Sequence, residues 1–441
     1  MAYAATMTLG LLISCVLAAQ ATPPVPAPVP APAPAPASVS VSAPAAAPSA
    51  EGADARIAAR AKACTDAGWS AVPAEQAAIG IERLVSMQEE PGQWPYEGVY
   101  RVGGAIPVGY RIGGTSICGE ALLSVPGYAA DAQRRAAVER AISFVCEARS
   151  HPLMDPIAYE GGYDVRGWGH CYGARFLMLA RAKGAVPESM KPAVEAAIDW
   201  YVEAVQKMEI AEIGGWNYAL QGSRLKSSPA SPFMTAPCIE TLLLASSQGE
   251  TVDPAVLKRG LDMLELMRAE SGYVDYSAAK AVRDQPGQVP GAVGRMCAVE
   301  AALIEGGRGS PERVEAAVRE FGQHWDALEA RRAKSGTHKP PYGVAPYYFM
   351  YAHWRAALAA EMAEQGSRDE LRALVLDRLG RTRSDEGTWN DRVFPRSANF
   401  GTACAILALG APWQATGAGP AASAGTSPGA ATVPAVDKKL P

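Results

Sequence analysis

Ionisable side chains lie beside aromatic ones in several glycine-containing segments of this chain. One of them, GGYDVRGWGHCY at residues 161–172, contains Asp164, Arg166, His170 and Tyr172. A carboxylate and an imidazole held together can act as general acid and base. Aromatic faces next to acids and guanidinium groups also suit stacking and hydrogen bonding to a sugar. These segments are therefore the first places to look for a site.

The same combination recurs further along. Tyr218 and Arg224 follow one such segment, Tyr276 ends another, and Asp391 and Arg396 follow a third. We take Asp164, His170 and Asp391 as candidate catalytic residues. The candidate ligand-binding residues are Arg166, Tyr172, Tyr218, Arg224, Tyr276 and Arg396.

Each candidate also has a structural interpretation. Glycoside hydrolysis needs two carboxylates about 5–10 Å apart, and a lyase needs a base with an arginine or a metal to neutralise an acidic sugar. Asp164 and Asp391 could instead cap helices or pair with Arg166 and Arg392. His170, at the start of an apolar helix, could point into a central cavity or simply pack in the core.

The segments belong to a repeat. An amphipathic helix (AEQAAIGIERLVSMQ), a loop containing Gly92-Gln-Trp94 and a helix of small apolar residues (GTSICGEALLSV) follow one another. The same order surrounds Trp216 and Trp389, and weaker copies surround Tyr163, Tyr273 and Tyr342. Six copies at a spacing of about 60 residues indicate a repeat architecture.

The two helices of each copy differ in character. The first has a polar face, as in Val194, Ile198, Tyr201 and Val205 at three-four spacing, whereas the second has few charges and must be enclosed. Strand signals are nearly absent. The pattern predicts an all-α fold, an (α/α)6 toroid in which six exposed helices surround six enclosed ones.

The pattern Gln88-x3-Gly92-x-Trp94 resembles the QW repeat of squalene and hopene cyclases, within the prenyltransferase/squalene-oxidase repeat superfamily of α/α toroids. The resemblance covers roughly residues 70–410 and is looser elsewhere, since Arg383 stands where the last copy would have Gln. It implies that the Trp stacks on the Gln and ties adjacent helices together. This segment is thus predicted to be a structural joint.

This sequence lacks side chains that the reactions of such families require. The sequence has no D-x-D-D cluster, which the resemblance implies for cyclisation, and no Asp-x-Cys partner for the Gly-His170-Cys-Tyr segment, which zinc-dependent prenyl transfer would need. The segment Cys118-Gly-Glu-Ala121 lacks the Gln of a thioester. Neither a cofactor nor a metal is therefore expected.

Composition narrows the partners. The 441 residues carry a net charge of −4 with no basic stripe, which excludes a nucleic-acid partner. Five of the eight cysteines lie in apolar segments without C-x-x-C spacing, and a Cys64–Cys146 bridge stays open.

The two ends predict export. The run LGLLISCVLAA, followed by Ala19-Gln-Ala21, predicts a signal peptide at 1–21 and a secreted or periplasmic protein, with lipidation of Cys15 as the second choice. A Pro/Ala-rich linker is predicted at 22–60, the toroid domain at 61–412 and a disordered tail at 413–441. No transmembrane segment is expected.

Two functions follow from these observations. In the first, an exported toroid protein without the family chemistry binds a ligand or partner at its loop-rich face. In the second, an enzyme acts on a glycan or lipid through Asp164, His170 and Asp391. The ligand would be a glycan or a polyisoprenoid-like molecule. Converging acids in the central cavity would favour the second function, and a cavity filled by core side chains the first.

Overall fold

The computed structural model describes residues 50–157, 165–210, 213–218, 229–277, 284–336, 338–345 and 348–414. These residues contain fourteen α-helices and only isolated β-bridges. The helices are α1 (Ala50–Asp66), α2 (Ala71–Ser86), α3 (Val108–Ser124), α4 (Ala132–Ala148), α5 (Arg166–Ala182), α6 (Lys191–Lys207), α7 (Pro232–Ser247), α8 (Pro254–Met267), α9 (Val289–Glu305), α10 (Pro311–Gln323), α11 (Trp325–Glu329), α12 (Phe349–Met362), α13 (Arg368–Gly380) and α14 (Ala398–Gln414).

The helices form two rings. Helices α3, α5, α7, α9, α12 and α14 each pack against the next in this order, and α14 packs against α3, which closes the inner ring. Helices α2, α4, α6, α8, α10 and α13 lie outside them, while α1 packs on α2 and the short α11 on α9. In the described part of the chain, the predicted (α/α)6 toroid is confirmed.

Small residues let the inner helices approach closely. A Cβ atom on Gly113 would lie 2.4 Å from the Trp168 ring, and one on Gly119 would lie 2.3 Å from the Phe176 ring. Both distances are far below van der Waals contact, so α3 and α5 could not pack as they do with larger residues there. The outer helices are amphipathic, with one face buried and the other in solvent. In α6, the buried face contains Val194, Ile198 and Tyr201.

Three tryptophans join outer to inner helices in the same way. The indole N–H of Trp94 donates to the Leu84 carbonyl of α2 at 2.7 Å, and its backbone N–H donates to the Thr115 hydroxyl of α3 at 2.9 Å. Trp216 makes the same two bonds to Val205 and Thr235. Trp389 makes them to Leu379 and Thr402.

Gln88 makes hydrogen bonds in the first joint. Its amide donates to the carbonyls of Gly92 at 3.0 Å and of Ala137 on α4 at 2.8 Å, and its oxygen accepts from Arg140. The segment therefore connects a loop to a neighbouring outer helix through hydrogen bonds. The joint needs no catalytic role to explain its residues.

The two ends of the described chain meet. The rings of Trp69 and Trp413 stack with centroids 4.7 Å apart, and the Trp413 indole donates to the Gly68 carbonyl. Helix α1 begins at Ala50, so residues 50–60, predicted as linker, are helical. This segment contains no proline, and Arg56 and Arg60 form ion pairs with Glu82 of α2. The predicted signal peptide, Cys15 and the tail from 415 lie outside the described residues.

The seven cysteines of the described residues are free and buried, Cys64 and Cys146 included. Burial raises the pKa of the Cys64 and Cys146 thiols to about 11 and that of Cys297 to about 12. A thiol with so high a pKa is a poor nucleophile, so these side chains act as small apolar core residues. No helix among the described residues combines the length and the apolarity that a bilayer crossing requires.

Candidate ligand-binding site

Aromatic side chains stand near the beginning of five inner helices. Tyr110, Trp168, Tyr351 and Phe400 are each the third residue of their helix, and Phe233 is the second residue of α7. Since the long outer-to-inner loops all precede these helices, the five rings meet at the end of the toroid where the inner helices begin.

These rings enclose a cavity with four tyrosines of the preceding segments. We call this cavity the aromatic chamber; its nine lining residues are Tyr96, Tyr100, Tyr110, Trp168, Tyr218, Phe233, Tyr348, Tyr351 and Phe400. Its empty volume, including the opening to solvent, is about 460 Å³.

The chamber has two aromatic walls. On one side, the Tyr96 ring lies 4.7 Å from Phe400 and 5.2 Å from Tyr110, and Trp168 lies 5.4 Å from Tyr110. On the other side, Phe233 and Tyr348 stack with centroids 3.4 Å apart and an angle of 2°. Such pairs hold each other in place, so the walls are preformed.

A second aromatic layer lies one helical turn deeper. Tyr172 of α5 contacts Trp168 at 5.4 Å and Trp354 of α12 at 6.3 Å, and Trp354 contacts Tyr351. Tyr172 was a predicted ligand-binding residue, but it is buried beneath the lining and is not part of it. Residues 168 and 172 lie on the same face of α5 one turn apart, so Trp168 reaches the cavity and Tyr172 lies beneath it.

Below this layer the toroid axis is charged. Arg175 of α5 donates to both carboxylate oxygens of Glu120 of α3 at 2.9 and 3.0 Å, and Arg355 of α12 pairs with Glu240 of α7. Each guanidinium thus has a carboxylate partner on another inner helix. Buried ion pairs of this kind fix which helices lie side by side.

One edge of the chamber carries a chain of hydroxyl groups. The Tyr348 hydroxyl donates to that of Tyr276 at 3.0 Å and lies 3.0 Å from that of Tyr218. The His338 ring packs on Tyr276 with centroids 4.4 Å apart, and burial lowers the pKa of His338, which keeps it neutral at pH 7. Of the predicted binding residues, Tyr218 therefore lines the chamber, whereas Tyr276 lies beside it in contact with Tyr348.

His170 lies elsewhere. Its ring packs against Trp200 and Tyr201 of the outer helix α6, with centroids 5.2 and 6.0 Å apart. It is fully buried, and burial together with Arg166 lowers its pKa to about 3. The side chain thus faces the outer ring instead of the cavity considered from the sequence.

Asp391 is also sealed away from the chamber. It is fully buried, neither carboxyl oxygen makes a hydrogen bond of normal geometry in the described residues, and burial raises its pKa to about 7 against the attraction of Arg392. Asp391 is not among the lining residues. Asp164, the third catalytic candidate, lies outside the described residues.

The predicted arginines take separate positions. Arg166 is buried and donates to the Asp155 carbonyl. Arg396 is half exposed and pairs with Glu89 at 2.7 Å. Arg224 lies outside the described residues. None of the described groups of His, Cys, Asp and Glu is arranged to hold a metal ion.

Sequence reasoning missed most of the chamber. Of the nine lining residues, only Tyr218 was among the candidates. The signal that could have found others is positional. Once the repeats are aligned, an aromatic residue stands second or third in five of the six enclosed helices.

These features define the class of the protein: an α/α toroid with an aromatic chamber at the end where its inner helices begin. No family model and no curated protein matches the chain. Among solved structures, the chain is similar to the type II terpene cyclase MstE from Scytonema, with 14% identity over 77% of this chain and 99% of that chain and a TM-score of 0.45.

The chain is also similar to the Lin0763 protein from Listeria innocua, with 12% identity over 76% of this chain and 96% of that one and a TM-score of 0.45. A third similar structure is a possible member of the GH105 family from Salmonella enterica, with 12% identity over 78% of this chain and 94% of that one and a TM-score of 0.42. The likeness concerns the α/α architecture and says nothing of activity.

Proposed function

We propose that this is an exported toroid protein that binds an apolar, polyisoprenoid-like ligand in the aromatic chamber and does not carry out cyclase or prenyltransferase chemistry. The observation that carries the proposal is the composition of the lining. Its nine residues are six tyrosines, two phenylalanines and one tryptophan, and none is a carboxylate, imidazole or amine.

Such a lining suits an apolar chain. Burial of apolar surface contributes about 25 cal/mol per Å², and ring faces make close contact with flat, unsaturated groups. The preformed walls add to this because little order has to be imposed on binding. Burial raises the pKa of Tyr100 and Tyr110, so these phenols stay neutral and suit an uncharged chain.

The lining gives the alternative, a glycan hydrolase or lyase, no support. That chemistry needs two acids, or an acid and a base, facing one substrate. Of the described candidates, His170 packs on the outer ring and Asp391 is sealed off. Support for export comes from the apolar run and Ala19-Gln-Ala21 at the beginning of the sequence.

The test is binding of farnesol, followed by tryptophan fluorescence and by calorimetry. Phe233→Leu and Phe400→Leu remove rings from opposite walls while they keep the residues apolar, and we expect each to weaken binding about five- to tenfold. Phe321→Leu is the matched control, since Phe321 is buried away from the chamber, against His353.

Equal losses in all three variants, or tighter binding of a cello-oligosaccharide than of farnesol, would overturn the proposal. Prolonged incubation with farnesol and squalene, followed by mass spectrometry and chromatography, tests the second part. A cyclised product would show that the chamber is catalytic.

A further inference from the structure

Arg295 of α9 is a buried guanidinium without a carboxylate partner. It is 7% exposed, and no Asp or Glu of the described residues lies within ion-pair distance of it. The other two guanidinium groups on the toroid axis, those of the partly buried Arg175 and the buried Arg355, are paired with Glu120 and Glu240. A buried charge is costly unless it is paired, so the difference points to an anion that is not part of the chain.

The contacts of Arg295 leave donors free. Its Nε donates to the Val274 carbonyl at 2.9 Å, and its Nη1 donates to the Gly291 carbonyl at 2.7 Å. A guanidinium has five N–H donors; a third is engaged by the Tyr273 hydroxyl, so two remain without an acceptor among the described residues. The acid that acts electrostatically on Arg295 is Asp275, and its carboxylate accepts a hydrogen bond from the Tyr276 backbone N–H at 2.8 Å.

The guanidinium lies at the polar edge of the aromatic chamber. Its carbon is 5.9 Å from the centre of the Tyr276 ring. Tyr276 in turn contacts two lining residues: its ring lies 6.0 Å from Phe233, and its hydroxyl accepts from Tyr348.

The chain of hydroxyl groups ends at Tyr276, whose O–H is a hydrogen-bond donor. Tyr348 donates its proton to Tyr276, and each phenol has a single O–H proton. The Tyr276 proton therefore points onward, and no acceptor for it is found among the described residues. Arg295 and Tyr276 thus present N–H and O–H donors together.

We propose that Arg295 and Tyr276 form a head-group subsite for a carboxylate, so that the ligand of the chamber is a long-chain acid whose apolar part lies between the aromatic walls. This rests on the proposed function and names its ligand class. A carboxylate matches the site because its single negative charge balances one guanidinium and its two oxygens can accept from Arg295 and Tyr276 separately.

The test compares three ligands that share one chain: farnesoic acid, farnesol and farnesyl monophosphate. Binding to the wild type is measured by calorimetry at pH 8. We expect farnesoic acid to bind at least about tenfold more tightly than farnesol, as a charge-assisted hydrogen bond implies. Arg295→Gln should remove the preference for farnesoic acid and change the affinity for farnesol by no more than about twofold. Tyr276→Phe should reduce the preference for farnesoic acid about fivefold.

Two further variants serve as controls. Arg295→Lys keeps the charge and should retain part of the preference for the acid, and Tyr342→Phe changes an exposed tyrosine outside the chamber and should change nothing. Thermal unfolding of each variant shows whether it folds. If Arg295 only supports the backbone, Arg295→Gln will weaken farnesol and farnesoic acid equally, and the subsite is overturned.

The outcomes separate the two proposals. Farnesol binding without any preference for the acid would overturn the subsite and leave the apolar chamber standing. No binding of any of the three would overturn the proposed function itself. A preference for the monophosphate over the acid would overturn the carboxylate assignment and indicate a phosphate head group at the same residues.

Discussion

The imidazole ring of His170 packs on the indole of Trp200, with 5.2 Å between the ring centroids. This contact crosses from the inner helix α5 to the outer helix α6, so it belongs to the wall of the toroid and not to its interior. Neither ring nitrogen has a hydrogen-bond partner in the described residues. His170 is therefore a neutral core residue.

The first prediction concerns acid stability. The folded-state pKa of His170, about 3, is below the ordinary value of 6.5, so the unfolded chain binds the proton first as the pH falls. Stability should be lost progressively below pH 6.5. In His170→Phe, the fall in unfolding free energy between pH 6.5 and pH 4.5 should be smaller by about 2–3 kcal/mol.

Urea unfolding at the two pH values measures this. His151→Phe is the control, because His151 is exposed whereas His170 is fully buried. An unchanged acid response in His170→Phe would show that His170 is not the buried group responsible.

The second prediction concerns Asp391, whose contribution to stability depends on pH in the opposite direction to that of His170. The pKa of Asp391 is raised from 3.8 to about 7 by burial, so its contribution to stability is present below pH 3.8 and is lost as the pH rises through 7. Asp391→Asn cannot ionise. We expect the variant to gain stability relative to the wild type by roughly 2–4 kcal/mol between pH 4 and pH 8.

Denaturant titrations across this pH range provide the measurement. Asp377→Asn, at an exposed acid of α13, is the matched control. If the unfolding free energy of both variants equals that of the wild type at every pH, Asp391 is an ordinary ionised carboxylate.

The third prediction concerns the tryptophan joints. Trp94→Phe, Trp216→Phe and Trp389→Phe each remove one indole donor and leave a buried carbonyl at the end of an outer helix without it. We expect each to lower the unfolding free energy by about 1–3 kcal/mol. Similar losses at all three sites would show that the joints are equivalent, and thermal unfolding measures them.

Trp200→Phe is the control, since no indole hydrogen bond of Trp200 is found in the described residues. Ligand binding should survive in the joint variants, because none of the three tryptophans lines the chamber. Loss of farnesol binding without loss of stability would instead make these residues part of the site.

The sequence predicted the rings well and the site only in part. Small residues such as Gly113 and Gly119 indicate an enclosed helix whatever its rotation, so the arrangement of six helices inside six could be inferred from the repeat and from the contrast between its two helices. The direction of a single side chain depends on helical phase, and one residue corresponds to about 100° of rotation. For this reason the sequence leaves open whether His170 points into the cavity or packs in the core, and it does not single out Tyr110.

Arg295 shows a second limit of sequence reasoning. An arginine within an apolar helix is visible in the sequence, but whether it has a partner depends on which carboxylates the neighbouring helices bring near it. Arg175 and Arg355 look the same in the sequence, yet each meets a glutamate from a helix more than fifty residues away. Only the packed toroid distinguishes the paired guanidinium groups from the unpaired one.

The contact of α14 with α3 has a consequence for how the chain folds. The side chain of Asn399 donates to the Pro95 carbonyl, 304 positions away in the sequence. Contacts of such long range slow folding, because the entropy of a large loop must be lost before they form. A nascent chain that lacks α14 would expose the apolar flanks of α3 and α12, so a cooperative unit can assemble only after α14 has been synthesised.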